Sequence, residues 1–222
     1  MARSSMSPKT ILKHIEALRG SYKDHIDLLG RILSADDGAL YGVDLVMIGV
    51  IHRSISLIDG FTKMVEDRNA LCANALLRLQ LDNVIRLYAC WLVDDPHSIA
   101  IRLLEGKPLR EVKSKDGQWL SDAYLTSEAS KLYPWLKTVY KKTSGFIHLS
   151  AAHMTAPVTQ VDRGKHTMSV AVGSGGGREW TEHEALESLG AFAEATRSVL
   201  HLSYSWLVTK KSGAEKPECV DR

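Results

Sequence analysis

Apolar residues recur at helical spacing through the first half of the chain. Over residues 7–33 they follow three- and four-residue steps, which predicts a helix, with Pro8 near its start and a break or bend at Gly20. The stretch "SADDG" is typical of a turn, and a second helix is predicted over residues 41–65. The third, "NALCANALLRLQLDNVIRLYACWLV" over residues 69–93, is apolar on most of its circumference and should be the central element.

The second half contains shorter elements and one β pattern. Asp94, Asp95 and Pro96 should stop the third helix, and "HSIAIRLLEG" predicts a short one. Another helix is predicted over residues 133–148, with Pro134 in its first turn. "PVTQVD" and "HTMSVAV" flank "RGK", which predicts a β-hairpin at 157–171, and "GSGGGR" is typical of a flexible link.

The last helix has a clear start. Thr181 and Glu184 match a capping box that opens a helix over residues 182–210, and residues 211–222 have the composition of a flexible tail. Long amphipathic helices with one hairpin insertion predict a mainly α fold, a helical bundle in a single domain over residues 1–210. "GSGGG" precedes a helix but lacks the lysine and the spacing of a phosphate-binding loop, so nucleotide-binding α/β folds are not expected.

Composition and charge exclude several classes of protein. The chain is 45% hydrophobic and 24% charged with a net charge of +2, which is typical of a globular protein without a global attraction to nucleic acid. The most apolar run, "ALYGVDLVMIGVI", is too short to span a membrane and contains Asp44, so it should belong to the core. Three scattered cysteines and the absence of an apolar leader favour the cytoplasm.

Polar residues recur every four positions along the otherwise apolar third helix. They are Asn74, Arg78, Asp82 and Arg86, so Asp82 should pair with the arginine on either side. Burying these charges without partners would cost several kcal/mol each, so they must be paired or face a cleft, which leaves two interpretations. They form either a salt-bridge ladder that fixes helix packing or an arginine-lined pocket for an anionic group such as phosphate.

A second polar motif occurs in "YKKTSGFIHLS". Tyr140, Ser144 and His148 stand four apart, so on a helix they would share one face. His148 is a candidate general acid/base because histidine is the residue type that ordinarily exchanges its proton near neutral pH, although a histidine at a helix end is also a common structural residue. No acid or cysteine completes a metal set around the histidines, so neither a metal nor a cofactor is expected.

These two stretches together resemble the HEPN-like helical clan of bacterial proteins. The likeness covers roughly residues 40–155 and, loosely, the last helix. It rests on the central helix with an arginine followed four residues later by an acid, and on the Tyr-x-x-x-Ser-x-x-x-His ending. The resemblance implies a metal-independent ribonuclease of a toxin–antitoxin or phage-defence system, with two protomers completing one site.

The resemblance also assigns roles to residues. His148 matches the histidine of the family motif, and Lys142 stands where the family has an arginine, although a lysine lacks the planar fork that binds phosphate. Arg78 and Arg86 would supply the missing guanidinium if the two helices face each other, and Asp82 would orient them. On that packing hypothesis we expect His148, Arg78 and Asp82 as catalytic residues. Arg86, Lys142, Tyr140, Ser144 and Asn74 would bind substrate. RNA, a cognate protein and a second copy of the chain are the implied partners, with no membrane.

Two further functions remain open on the residues alone. A non-catalytic interaction module would use the polar ladder only to fix how the helices pack. A protein that binds a small anion or a nucleotide would use the same guanidinium groups to hold its ligand.

Overall fold

The computed structural model describes residues 8–173 and 180–213, and most of these are helical. The helices are α1 (Pro8–Ser34), α2 (Gly42–Glu66), α3 (Ala70–Tyr88), α4 (His97–Leu104), α5 (Asp122–Leu132), α6 (Leu136–Thr143), α7 (Ala151–Thr155) and α8 (Glu182–Lys211). The strands β1 (Val158–Asp162) and β2 (Thr167–Val170) form an antiparallel hairpin before α8. The predicted mainly α fold with one late hairpin is confirmed.

Helix α3 lies at the centre of the bundle, as its apolar circumference predicts. It packs between α2 and α8, while α1 covers the other side of both, and α5 and α6 pack on its remaining face. Its residues Leu81, Val84 and Ile85 are fully buried. Next to it the rings of Phe61 and Phe192 stack with centroids 4.0 Å apart, which joins α2 to α8.

Of the predicted break or bend at Gly20, the break is wrong, because α1 runs without interruption from Pro8 to Ser34. Buried residues continue along one face on both sides of the glycine, including Ile15, Leu18 and Leu28. Their packing outweighs the cost of about 1 kcal/mol that a glycine adds inside a helix. The third helix also ends earlier than predicted, at Tyr88, and continues as a 3₁₀ turn over Ala89–Trp91.

The predicted helix over residues 133–148 is wrong in extent. The chain forms α5 before it, which the pattern did not predict, and α6 then ends at Thr143. The side chain of Ser121 caps α5, and Pro134 keeps Tyr133 out of the helical region at φ −123° and ψ 79°. A 3₁₀ turn at Ser144–Phe146 follows α6, so His148 lies in a bend beyond the helix.

The hairpin and the start of the last helix follow the sequence pattern. The carboxylate of Asp162 accepts the backbone N–H groups of Gly164 and Lys165, both at 3.0 Å, and so closes the turn. The capping box of Thr181 and Glu184 is formed at the start of α8. The predicted link beyond Gly173 and the predicted tail beyond residue 213 lie outside the described residues.

Helix α2 begins at a fully buried ion pair. The ammonium group of Lys210 donates to Asp44 at 3.0 Å and to the carbonyl of Ile32 at 2.9 Å, and both side chains of the pair are 0% exposed. The indole of Trp206 donates to the other oxygen of Asp44 at 2.7 Å. The end of α8 is thereby fixed to the start of α2 and the end of α1.

The same helix is long and apolar enough to span a membrane, judged by length and composition over the described residues. Half of its most apolar 18-residue stretch is buried inside the protein. The buried side packs against α1 and α3, which is typical of a core helix.

Candidate functional site

The ladder on α3 is only partly paired along the helix. The guanidinium of Arg86 donates to Asp82 at 3.2 Å, which confirms one of the two predicted pairs. Arg78 instead bonds to the hydroxyl of Tyr140 and lies 3.7 Å from Asp122, so the predicted pair of Arg78 with Asp82 is wrong. The physical reason is that α5 brings a second carboxylate against the face of α3.

Asp122, in the first turn of α5, connects the two arginines of α3. One of its oxygens accepts from Arg86 at 2.5 Å, and the other accepts from the hydroxyl of Tyr140 at 3.1 Å. The guanidinium of Arg78 also stacks on the Tyr140 ring, 3.6 Å from its centroid. Burial, with a smaller contribution from Asp122, raises the pKa of Tyr140 to about 12 against the opposing effect of Arg78, so the phenol stays a neutral donor.

A third arginine, Arg53 of α2, joins this group. The NH1 nitrogen of Arg53 donates to the second oxygen of Asp82 at 3.2 Å and to the side-chain oxygen of Asn83 at 2.8 Å. These two bonds use both hydrogens of that nitrogen. Among the described residues, nothing bonds to its Nε or its other amino nitrogen, and 41% of the side chain is exposed. One edge of the Arg53 guanidinium is therefore held and the other is available.

Charge is unbalanced in this cluster, which we define as Arg53, Arg78, Arg86, Asp82 and Asp122. Both oxygens of Asp82 and both of Asp122 are engaged by the three guanidinium groups. Three positive and two negative groups leave one excess positive charge within the cluster. The cluster can therefore accept one more anionic group.

The cluster borders a cleft between α2, α3 and α4 with a volume of about 370 Å³. Arg53, Asp82, Asn83 and Arg86 form its polar end. The other walls are apolar and come from α2 and α4; they are Leu45, Val46, Val50, Ala100, Leu103 and Leu104. Gly49 also lines the cleft, and a Cβ built on it would meet no atom within 4 Å.

The remaining predicted site residues lie outside the cleft. His148 and Lys142 are exposed. The hydroxyl of Ser144 donates to the carbonyl of Tyr140 at 2.7 Å, so it caps its own helix. Asn74 donates to the carbonyl of Ala70 at 2.8 Å and accepts from Ser188 of α8 at 3.2 Å, so it joins α3 to α8. The structure thus brings together Arg78, Asp82, Arg86 and Tyr140 of the predicted set.

Sequence reasoning missed Arg53, Asn83 and Asp122. The pair Ser121–Asp122 did carry a signal, because serine followed by an acid is a common helix start. Arg53 is one of few charged residues in a strongly apolar helix, which marks it as special without indicating its partner. Within the described ranges no three His, Cys, Asp or Glu side chains come together as metal ligands.

Comparisons of the chain with protein-family models, with curated protein sequences and with solved structures gave no match.

Proposed function

We propose that this protein binds a small amphipathic anion, an organic molecule with an apolar body and one carboxylate or phosphate group. The observation that supports this most is the available edge of Arg53 at the polar end of an otherwise apolar cleft. A guanidinium edge offers two parallel donors to one oxyanion. Apolar pockets with a few convergent polar groups are the usual form of a small-molecule site.

The size of the cleft suggests a probe. Along α2 the lining runs from Leu45 to Arg53, which corresponds to about 12 Å at 1.5 Å per residue. A saturated chain of about eight carbons has a similar length. Octanoate and 1-octanol are therefore a matched pair, since they share the chain and only octanoate carries a charge.

The test measures both affinities by titration calorimetry. We expect octanoate to bind with a Kd of about 1 mM or tighter, given the efficiency of small ligands. Octanol should bind at least about tenfold more weakly, because a hydrogen bond to a charged group contributes about 1.5–3 kcal/mol. Equal affinities, or no binding of either molecule, would contradict the proposal.

Gly49 offers a control that locates the ligand. Gly49→Leu should fill the cleft and abolish binding without unfolding the protein, because its side chain would project into open space. Gly20→Leu is the matched variant, since Gly20 is also an exposed helical glycine with nothing within 4 Å of its Cβ position. It should bind octanoate as the wild type does.

The RNA-related role expected from the family resemblance is a second proposal. One observation supports it. The resemblance assigns proton transfer to His148, and His148 is exposed, so an RNA strand could reach the imidazole. A toxin or phage-defence ribonuclease, a bacterial source and a homodimer all belong to this proposal. A location in the cytoplasm is proposed for both functions, because Cys72 and Cys90 are free thiols.

A further inference from the structure

Behind Arg53, a row of buried polar side chains extends into the core. His25, Ser54 and Gln80 are 0% exposed and Asn83 is 1% exposed. They come from α1, α2 and α3, and Thr196 of α8 joins them. Buried polar groups are costly unless each one is hydrogen-bonded, and every member of this row is.

The hydrogen bonds of this row are donated in one direction, from Asn83 toward His25, and the orientation of each group follows from the protonation of His25. Its Nδ1 lies 2.7 Å from the carbonyl of Ser21, which can only accept, so Nδ1 carries the proton. In the neutral ring Nε2 is then an acceptor, and the hydroxyl of Ser54 donates to it at 3.0 Å. Ser54 in turn accepts from the side-chain amide nitrogen of Gln80 at 2.7 Å.

The same logic fixes both amides. The nitrogen of Gln80 also donates to Thr196 at 3.1 Å, whose own hydroxyl donates to the carbonyl of Phe192 at 2.9 Å. The oxygen of Gln80 must therefore face Asn83, and it accepts from the Asn83 nitrogen at 3.0 Å. This leaves the oxygen of Asn83 toward Arg53 at 2.8 Å.

We infer that Gln80 and Asn83 are positioning residues for Arg53, and that they set the preference of the cleft for a charged head group. If Asn83 rotated its amide, its NH₂ would face the guanidinium, donor against donor. Gln80 prevents that rotation, so one edge of Arg53 stays bound and the other stays available to the ligand. This inference rests on the proposed function.

A purely structural role for the row makes a different prediction. The row joins α1, α2, α3 and α8, so its removal would also loosen the packing of the bundle. Loss of packing alone would lower the affinities for octanoate and octanol equally. Loss of positioning would lower the affinity for octanoate alone, so the ratio of the two affinities distinguishes the positioning role from the packing role.

Three variants test this, each measured with octanoate and with 1-octanol. Gln80→Met keeps the volume and removes the amide, so octanoate affinity should fall about tenfold while octanol affinity stays within about twofold. Ser54→Ala acts one bond further away and should lower octanoate affinity about two- to threefold. Ser203→Ala is the control, because Ser203 is equally buried but, within the part of the chain that the structure describes, its hydroxyl bonds only to the carbonyl of Val199 in its own helix. It should leave both affinities unchanged.

A double-mutant cycle with Arg53→Gln completes the test. Once Arg53 is gone, Gln80→Met should cause no further loss of octanoate affinity, since the two residues act as one unit. Additive losses, or a Gln80→Met protein that keeps the wild-type preference for octanoate, would overturn the inference and leave the proposed function intact. A wild type that binds neither probe would overturn both. If Gln80→Met does not fold, the ratio of octanoate to octanol affinity in Ser54→Ala decides between the positioning role and the packing role.

Discussion

Removing the ammonium group of Lys210 should be among the most destabilising single changes in this protein. Lys210→Met keeps most of the apolar side chain and leaves Asp44 as a buried carboxylate without its countercharge. Breaking one partner of a buried pair costs about 3–5 kcal/mol. Asp44 keeps its bonds from Trp206 at 2.7 Å and from the backbone of Tyr41 at 2.8 Å, so we expect a value near the lower limit.

The free energy of unfolding is measured by urea titration at pH 7 and 25 °C, and Tm is measured by thermal unfolding in the same buffer, both followed by circular dichroism. For a domain of this size, a loss of about 3 kcal/mol should lower Tm by about 6–12 °C. Lys211→Met is the control, because Lys211 is the neighbouring residue and is exposed. Its free energy of unfolding should change by less than about 0.5 kcal/mol.

A double variant separates charge from packing. Adding Asp44→Asn to Lys210→Met removes the stranded charge, so part of the lost stability should return. The reasoning would be refuted if Lys210→Met cost less than about 1 kcal/mol, or no more than Lys211→Met. It would also be refuted if the double variant were less stable than Lys210→Met alone.

Two further predictions concern histidines. Burial lowers the pKa of His25. Below about pH 6.5 the unfolded chain therefore binds a proton that the folded protein does not. As the pH is lowered, this group reduces the free energy of unfolding by at most about 1.4 kcal/mol per pH unit. His25→Gln should therefore lose less stability than the wild type between pH 7.5 and 5.5 in urea titrations, and an equal loss in the two proteins would contradict this. If the resemblance to metal-independent ribonucleases extends to activity, the protein should cleave single-stranded RNA in EDTA and His148→Ala should not. Absence of cleavage by the wild type would remove that function and leave the cleft proposal unaffected.

The long helices could be predicted because their buried faces repeat without interruption. The start of α8 was predicted to the residue, since the capping box of Thr181 and Glu184 is a local signal. Helix α5 was missed because it is short and shows weak apolar periodicity. The extent of α6 was wrong because Gly145 and its neighbours adopt a 3₁₀ turn, which helical spacing alone does not indicate.

The candidate site was predictable only where one helix determines the geometry. Asp82 and Arg86 are four residues apart, so their pairing follows from helical pitch. Arg53 and Asp82 are 29 residues apart, Arg86 and Asp122 are 36 apart, and Lys210 and Asp44 are 166 apart. These contacts depend on how the helices pack, and the spacing of residues in the sequence contains no direct information about that.

The central claim is that the available edge of Arg53 binds the anionic group of a ligand in the cleft. The most direct measurement follows the arginine side-chain Nε–H resonances by NMR during titration with octanoate and with 1-octanol, with Arg53→Lys to assign the signal. We predict that octanoate shifts the Arg53 resonance in a saturable manner and that octanol does not. A titration that leaves the Arg53 resonance unchanged, or that shifts only those of Arg78 and Arg86, would contradict the account.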